Sequence, residues 1–90
     1  MTRVLVVDDV ELFRTGLSAA LTGVGFEVCG EASDAESAVS LAEGEQPDLV
    51  VLDILLPGIS GLEAIGKIRA VAPGASVVSS PARFTATWLV

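Results

Sequence analysis

Arg3-Val4-Leu5-Val6-Val7-Asp8-Asp9 is the stretch that decides the fold of this chain of 90 residues, and Leu49-Val50-Val51-Leu52-Asp53 repeats its pattern. Each is a short run of Val and Leu that ends in acid, which is typical of a parallel strand buried on both faces. If the two strands are neighbours in one sheet, their carboxyl ends lie at the same edge, and Asp8, Asp9 and Asp53 converge there. Carboxylates that crowd together repel one another, and Mg²⁺, which binds oxygen ligands, is a common way to hold them.

Apolar runs and helical repeats alternate along the chain. The pattern predicts strands over Arg3–Val7, residues 26–29, Leu49–Leu52 and residues 75–78. It predicts helices over residues 10–21, 33–44 and 60–72, with Ser-x-x-Glu capping boxes at Ser33 and Ser60. This β-α-β-α-β-α-β order predicts an α/β fold, a doubly wound parallel sheet with right-handed crossovers. Helical spacing predicts these buried positions: Phe13, Leu17, Ala20 and Leu21, then Ala35, Ala38, Val39 and Ala42, then Leu62, Ile65, Ile68 and Ala72.

Composition and charge exclude several classes of function. The formal net charge is −7 and only five residues are basic, which argues against nucleic-acid binding by this chain alone. The chain has no His, so His-dependent triads and imidazole metal sites are excluded. Its one cysteine, Cys29, cannot form an internal disulfide and is interpreted as a small buried residue. We find no secretion signal and no stretch of membrane-spanning length, so we expect a cytoplasmic protein with no membrane contact.

Each of these motifs also has an ordinary structural explanation. Asp8-Asp9 alone can end a strand and cap the next helix, and Leu56-Pro57-Gly58 can be a strand-to-helix turn. When they occur together with Asp53, both motifs can be interpreted as parts of one site, because the βαβα unit between the acids brings the acids to one edge of the sheet. The Pro-Gly turn also shapes a loop in which the Leu55 backbone carbonyl can face a metal ion. Other phosphate-binding motifs are incomplete: Val28 stands where a dinucleotide fingerprint needs Gly, and no P-loop sequence is present.

Three stretches resemble the receiver domain of two-component response regulators. They are Val4-Leu5-Val6-Val7-Asp8-Asp9, Pro47-Asp48-Leu49-Val50-Val51-Leu52-Asp53 and Leu56-Pro57-Gly58-Ile59-Ser60-Gly61-Leu62-Glu63, in the order and spacing of that family. The resemblance covers residues 2–78 and implies the flavodoxin-like receiver fold. Leu12-Phe13-Arg14-Thr15-Gly16-Leu17 and Val28-Cys29-Gly30-Glu31-Ala32 are similar to the subgroup that carries a LuxR-type helix-turn-helix output domain, which these 90 residues do not include.

The resemblance implies a role for each acid. Asp53 is the phosphoacceptor, which attacks the phosphorus of a phosphohistidine on a sensor histidine kinase and becomes an aspartyl phosphate. Asp9, Asp53 and the Leu55 backbone carbonyl bind Mg²⁺ directly, and Asp8 holds the ion through water. The expected function is therefore phosphorelay signal transduction by a domain that is not itself an enzyme.

The sequence departs from the family pattern after residue 78. The Ser or Thr that ends the fourth strand of receivers falls at Pro81, and the only lysine, Lys67, lies in the third predicted helix rather than after a fifth strand. We expect a receiver-like domain over residues 1–78 and a divergent tail over residues 79–90, a pattern that truncation or a frame shift produces. The tail alternates like a strand from Phe84 to Val90, and we expect it to cover the open sheet edge or to join two copies in a homodimer.

Two other functions stay open at this point. A chain that lacks the Ser or Thr and the Lys can act as an interaction or dimerisation module without phosphotransfer. A metal-dependent phosphohydrolase shares the acid cluster, but Leu55 stands where its second acid is needed and no general base is present.

Overall fold

Strands and helices alternate through residues 1–79, the part of the chain that the computed structural model describes. All neighbouring strands pair in parallel, in the spatial order β2-β1-β3-β4. The predicted parallel α/β fold is thereby confirmed, whereas the prediction for the tail from Phe84 to Val90 lies outside the described residues. The elements are β1 (Arg3–Val7), α1 (Glu11–Gly23), β2 (Glu27–Ala32), α2 (Ala35–Glu45), β3 (Leu49–Leu52), α3 (Gly61–Val71) and β4 (Ser76–Ser79).

Helices cover both faces of the sheet and create two apolar layers. One layer packs α2 and α3 against Leu5, Val50 and Leu52. The other packs α1 against Val4 and Val6, with Val51 beside them. Because successive side chains of a strand point to opposite faces, β1 contributes to both layers. This position explains why its sequence is an unbroken apolar run.

β2 is longer than the prediction over residues 26–29. It runs from Glu27 to Ala32 and pairs with the whole of β1, with a register shift between Val4 and Leu5. The apolar pattern does not predict the second half of β2, because Gly30 and Glu31 are not apolar. An edge strand such as β2 needs less apolar surface than a central strand. Gly30 is fixed by close packing, since a Cβ at this position would lie 3.3 Å from Cδ1 of Leu5.

The cap of α2 differs from the prediction, whereas the cap of α3 agrees with it. Asp34, not Ser33, is the N-cap of α2, and its carboxylate accepts a hydrogen bond from the Ser37 amide at 2.7 Å. Ser60 caps α3 as predicted by accepting from the Glu63 amide at 3.1 Å. An ionised carboxylate makes a stronger hydrogen bond to an amide at a helix start than a hydroxyl does. This explains why Asp34 rather than Ser33 caps α2.

Two of the predicted buried positions are exposed. Leu62 is 84% exposed, and the buried face of α3 is formed by Ala64 and Ile68 with the following Ala72. At about 100° per residue, Leu62 lies roughly 120° around the helix from Ile68, so it cannot share that face. Ala20 is exposed for the same reason, and Ser18 is the buried residue of α1. The other predicted element bounds lie within two residues of the observed ones.

Candidate functional site

The acids that follow β1 and β3 meet at one edge of the sheet. β1 and β3 are direct neighbours, and Val7 pairs with Leu52 at their carboxyl ends. Asp8 and Asp53, which follow Val7 and Leu52, therefore lie side by side at this edge. One carboxylate oxygen from each of Asp8, Asp9 and Asp53 lies within 4.8 Å of the others. The predicted convergence of the acids is thus observed.

Backbone hydrogen bonds fix the positions from which the acids project. The Asp8 amide donates to the Ala32 carbonyl at 3.0 Å, which ties the end of β1 to β2. The Asp53 amide donates to the Val7 carbonyl at 2.9 Å, which ties the end of β3 to β1. The parallel ladder therefore continues one residue beyond both central strands, and it places Asp8 and Asp53 on rigid backbone rather than on loops.

Both buried acids also receive a hydrogen bond from the loop that follows them. Oδ1 of Asp8 accepts from the Val10 amide, and Oδ1 of Asp53 accepts from the Leu55 amide, each at 2.9 Å. These are local turns in which a carboxylate binds the amide two residues later, and they orient the carboxyl group. The Leu55 amide is therefore part of the site, while metal binding by its carbonyl stays a prediction.

The cluster has the donor chemistry of a magnesium site. Asp8 and Asp53 are only 2% and 3% exposed, and Asp9 lies nearer to solvent. Buried carboxylates at this separation repel strongly unless cations compensate them. The donors are all oxygen, and the chain has no His to favour a softer metal. The residues present therefore fit Mg²⁺, which is commonly held by a few carboxylates with water completing its shell.

Arg14 is a site residue that the sequence reasoning did not single out. Its side chain is 17% exposed and reaches back from α1 to the acid loop. Nη1 donates to the Asp8 carbonyl at 2.8 Å, while Nε lies 3.3 Å from a carboxylate oxygen of Glu31. The available signal was spacing, because a basic residue in the second turn of the helix after an acid pair can fold back over that pair.

The other candidate groups lie outside this cluster. Lys67 lines a cleft of about 560 Å³ between α2 and the Pro57-Gly58-Ile59 turn, and none of the three acids contributes to that cleft. Cys29 is in β2 and donates to the Val4 carbonyl at 3.4 Å, and burial raises the pKa of its thiol. Lys67 thus lies apart from the acids, as its place in the third helix predicts, whereas Cys29 is half-buried rather than the fully buried residue that the sequence predicts.

The turn after Asp53 has the predicted form. Gly58 adopts a φ of 80°, a region that other residues rarely enter, and Pro57 precedes it in the turn. The turn leads directly into the Ser60 cap of α3. Within residues 1–79, no helix has both the length and the apolar character needed to cross a bilayer.

Comparison with known proteins assigns this chain to one family. A model of the response regulator receiver domain matches residues 4–84. Response regulator GacA of Pseudomonas aeruginosa is 43% identical over 79 residues, which are 87% of this chain and 37% of GacA. The chain thus spans little more than a third of the length of this curated relative.

Solved structures of response regulators are similar over the same region. The LuxR-family two-component response regulator of an Aurantimonas species has a TM-score of 0.81 at 35% identity, covering 88% of this chain and 57% of that one. A chain of the CheX–CheY–BeF₃–Mg²⁺ complex of Borrelia burgdorferi has a TM-score of 0.79 at 30% identity, with coverages of 87% and 60%. A chain of the complex between histidine kinase ThkA and response regulator TrrA has a TM-score of 0.76 at 39% identity, with coverages of 88% and 67%.

Proposed function

This chain belongs to the family of response regulator receiver domains, and on that premise we propose that Asp53 accepts a phosphoryl group from a histidine kinase with Mg²⁺ as the cofactor. Receiver domains are signalling modules of two-component systems. The observation that carries the proposal is the meeting of Asp8, Asp9 and Asp53 within 4.8 Å at the carboxyl ends of β1 and β3. The proposed localisation is the cytoplasm, where kinase domains present their phosphohistidine.

We propose Asp53 as the nucleophile of the cluster, because it stands at the phosphoacceptor position that the resemblance to the receiver family implies. Its backbone is held in the parallel ladder, and its Oδ1 is oriented by the Leu55 amide. A carboxylate oxygen forms a bond to phosphorus as the phosphorus–nitrogen bond to the kinase imidazole breaks, and the bonding electron pair stays on the imidazole nitrogen. The product is an acyl phosphate on Asp53. The chain supplies position and electrostatics for this transfer, and we therefore propose a phosphoacceptor rather than an enzyme.

Mg²⁺ supplies neutralisation of the charge on the transferring phosphoryl oxygens. We propose Asp9, Asp53 and the Leu55 backbone carbonyl as direct ligands, and Asp8 as a ligand through water. Loop amides orient Asp8 and Asp53 in the same way, so this division follows the resemblance to the receiver family. The CheY complex with BeF₃ and Mg²⁺ supports the choice of metal by similarity.

The proposed partner is a sensor histidine kinase, and the complex of ThkA with TrrA supports this by similarity. The motifs in α1 and β2, together with the likeness to a LuxR-family regulator, support the LuxR-type subgroup. The formal net charge of −7 opposes binding to the negatively charged backbone of nucleic acid, so we propose no DNA contact by these residues alone.

The test is the intact mass of the protein after incubation with acetyl phosphate and Mg²⁺. We expect one added phosphoryl group in the natural chain and none in Asp53→Asn. Asp48→Asn is the matched control, because Asp48 is an exposed acid at the opposite end of β3 and should leave the adduct unchanged. A folded natural chain that gains no mass, or an adduct that persists in Asp53→Asn, contradicts the proposal.

A second candidate function, homodimerisation, is favoured by the edge of the sheet. β4 is the outermost strand next to β3 among residues 1–79, and its sequence Ser76-Val77-Val78-Ser79 has no charge to protect the edge. The Ser76 amide points inward to the Asp48 carbonyl, so the backbone groups of Val77 and Ser79 point outward. Two copies can therefore pair antiparallel about a two-fold axis at Val77, which gives one continuous sheet.

Light scattering of the natural chain and of Val78→Lys tests this second function. Val78 is 46% exposed, so the substitution places a charge at the edge without opening the core. We expect a dimer that becomes a monomer in Val78→Lys while phosphorylation of Asp53 is unchanged. A natural chain that is monomeric at all concentrations rejects it. If deletion of residues 84–90 creates the dimer, the tail covers the edge instead.

A further inference from the structure

Arg14 is a cation that touches the acid loop, the segment that follows β1. It lies on α1, its side chain is mostly buried, and it donates a hydrogen bond to the backbone carbonyl of Asp8. Glu31, at the end of β2, faces its Nε at 3.3 Å. The guanidinium is thus held between β2 and the loop that follows β1, and its charge is partly compensated by Glu31.

The bond to the Asp8 carbonyl has a geometric consequence for Asp9. The carbonyl of residue 8 and the amide of residue 9 belong to one planar peptide group. Fixing the carbonyl oxygen therefore fixes the orientation of that plane and the place of the Asp9 Cα. The Asp8 amide is held by Ala32 and its carboxylate by the Val10 amide, and Arg14 adds a restraint on the Asp8 carbonyl.

We propose that Arg14 is a positioning residue that sets Asp9 for Mg²⁺ binding by anchoring the Asp8–Asp9 peptide. This inference rests on the magnesium site of the proposed function. Arg14 acts through the backbone and need not touch the ion. Groups that orient ligands from behind in this way typically change metal affinity about 10- to 100-fold when they are removed.

The direction of the effect separates positioning from simple electrostatics. Removal of a positive charge beside the carboxylates should tighten Mg²⁺ binding if charge were the only role of Arg14. Loss of the anchor should weaken binding, because Asp9 must then be ordered when the ion binds. We expect Arg14→Met, which keeps an unbranched apolar stem but removes the guanidinium, to weaken Mg²⁺ binding about tenfold.

Isothermal titration with Mg²⁺ alone measures this affinity in the full chain. Arg69→Met is the matched control, since it removes the same charge from an exposed position in the last turn of α3 and should leave binding unchanged. Arg14→Lys carries a single ammonium group, which cannot contact both the Asp8 carbonyl and Glu31 as the guanidinium does. Because it keeps the charge and can still donate to the carbonyl, it should lose less Mg²⁺ affinity than Arg14→Met. Unchanged or tighter binding in Arg14→Met overturns the proposal.

A second readout tests the anchor without metal. The Val10 amide donates to Asp8 in the same loop, so its hydrogen exchange reports loop order, whereas the Val6 amide in β1 reports opening of the sheet. We expect exchange at Val10 to rise several-fold in metal-free Arg14→Met while exchange at Val6 stays the same. Equal exchange at Val10 in both proteins contradicts positioning. If the natural chain binds no Mg²⁺ yet Val10 responds as expected, the magnesium proposal fails and the anchoring role of Arg14 stands.

Discussion

At the scale of single residues, the site depends on carboxylates that are costly to bury. Asp8 and Asp53 are almost fully enclosed, and one oxygen of each is already committed to a loop amide. A cation that binds the cluster should also stabilise the folded protein, because it binds the native state and not the unfolded one. Stability and metal binding are thus coupled through the same side chains.

Asp53→Asn should reduce the stabilisation that Mg²⁺ gives to the protein, because it removes one of the carboxylates proposed to bind the ion. The asparagine oxygen can still accept from the Leu55 amide, so the turn is kept. Thermal unfolding with and without Mg²⁺ measures this. The natural chain should gain stability with Mg²⁺ and the variant should gain little. An equal gain of stability in the two proteins would show that Asp53 does not contribute to Mg²⁺ binding.

Gly58→Ala should lower the free energy of unfolding by about 1 kcal/mol, since Gly58 has a φ of 80°. Among residues 1–79, no neighbouring atom lies within 4 Å of an added Cβ, so we expect a conformational rather than a steric cost. Urea unfolding measures it. Gly66→Ala is the control, because it also meets no neighbour but lies inside α3, where alanine should stabilise. An unchanged free energy of unfolding in Gly58→Ala would mean that the turn can adopt another backbone conformation without cost.

At the scale of secondary structure, caps and edges decide where elements begin and end. α2 starts at a charged cap, whereas α3 starts at a hydroxyl cap. α2 ends at Gln46 in the left-handed region with a φ of 46°, and the Gln46 side-chain amide donates to the Val71 carbonyl at 2.9 Å. The ends of α2 and α3 are thereby joined, which holds the helices on one face of the sheet in register.

The cap of α2 gives the protein a dependence on acid pH. The hydrogen bond from the Ser37 amide lowers the pKa of Asp34 below its ordinary value of 3.8. Because the folded pKa is the lower one, the stabilising contribution is present above pH 3.8 and is lost as the pH falls through the folded value.

Asp34→Asn should keep the cap and remove this part of the pH dependence. Unfolding curves of both proteins between neutral pH and about pH 3 measure it. We expect the natural chain to lose more stability over this range than the variant. Parallel losses would show that the cap does not depend on the charge of Asp34.

At the scale of the whole molecule, the sheet is covered by aliphatic side chains, and its largest buried residues are Leu5, Leu52 and Ile68. Ile68 lies in the apolar layer that packs α3 against β3, and Asp53 directly follows β3. A change in this layer should therefore affect both stability and the position of the acceptor. The family likeness covers the same region, so the supporting layer belongs to the receiver fold itself.

Ile68→Ala should cost about 3 kcal/mol of unfolding free energy, because it opens a cavity at a position with no solvent exposure. Leu62→Ala is the matched control on the same helix, and its 84% exposure predicts a change near zero. Chemical denaturation measures both. Similar losses in the two variants would show that Leu62 packs against the protein in solution.

The sequence by itself determined the strands that carry the acids, the order of the elements and the turn after Asp53. Period and composition report burial on both faces of a central strand, so β1 and β3 were recognisable from their own residues. The exposed position of Leu62 and the full length of β2 depend on what each element packs against, and local pattern does not contain that information. The contact of Arg14 with the Asp8 carbonyl is of the same kind. It joins a helix to a loop, and only the tertiary structure decides which backbone group a long, flexible side chain reaches.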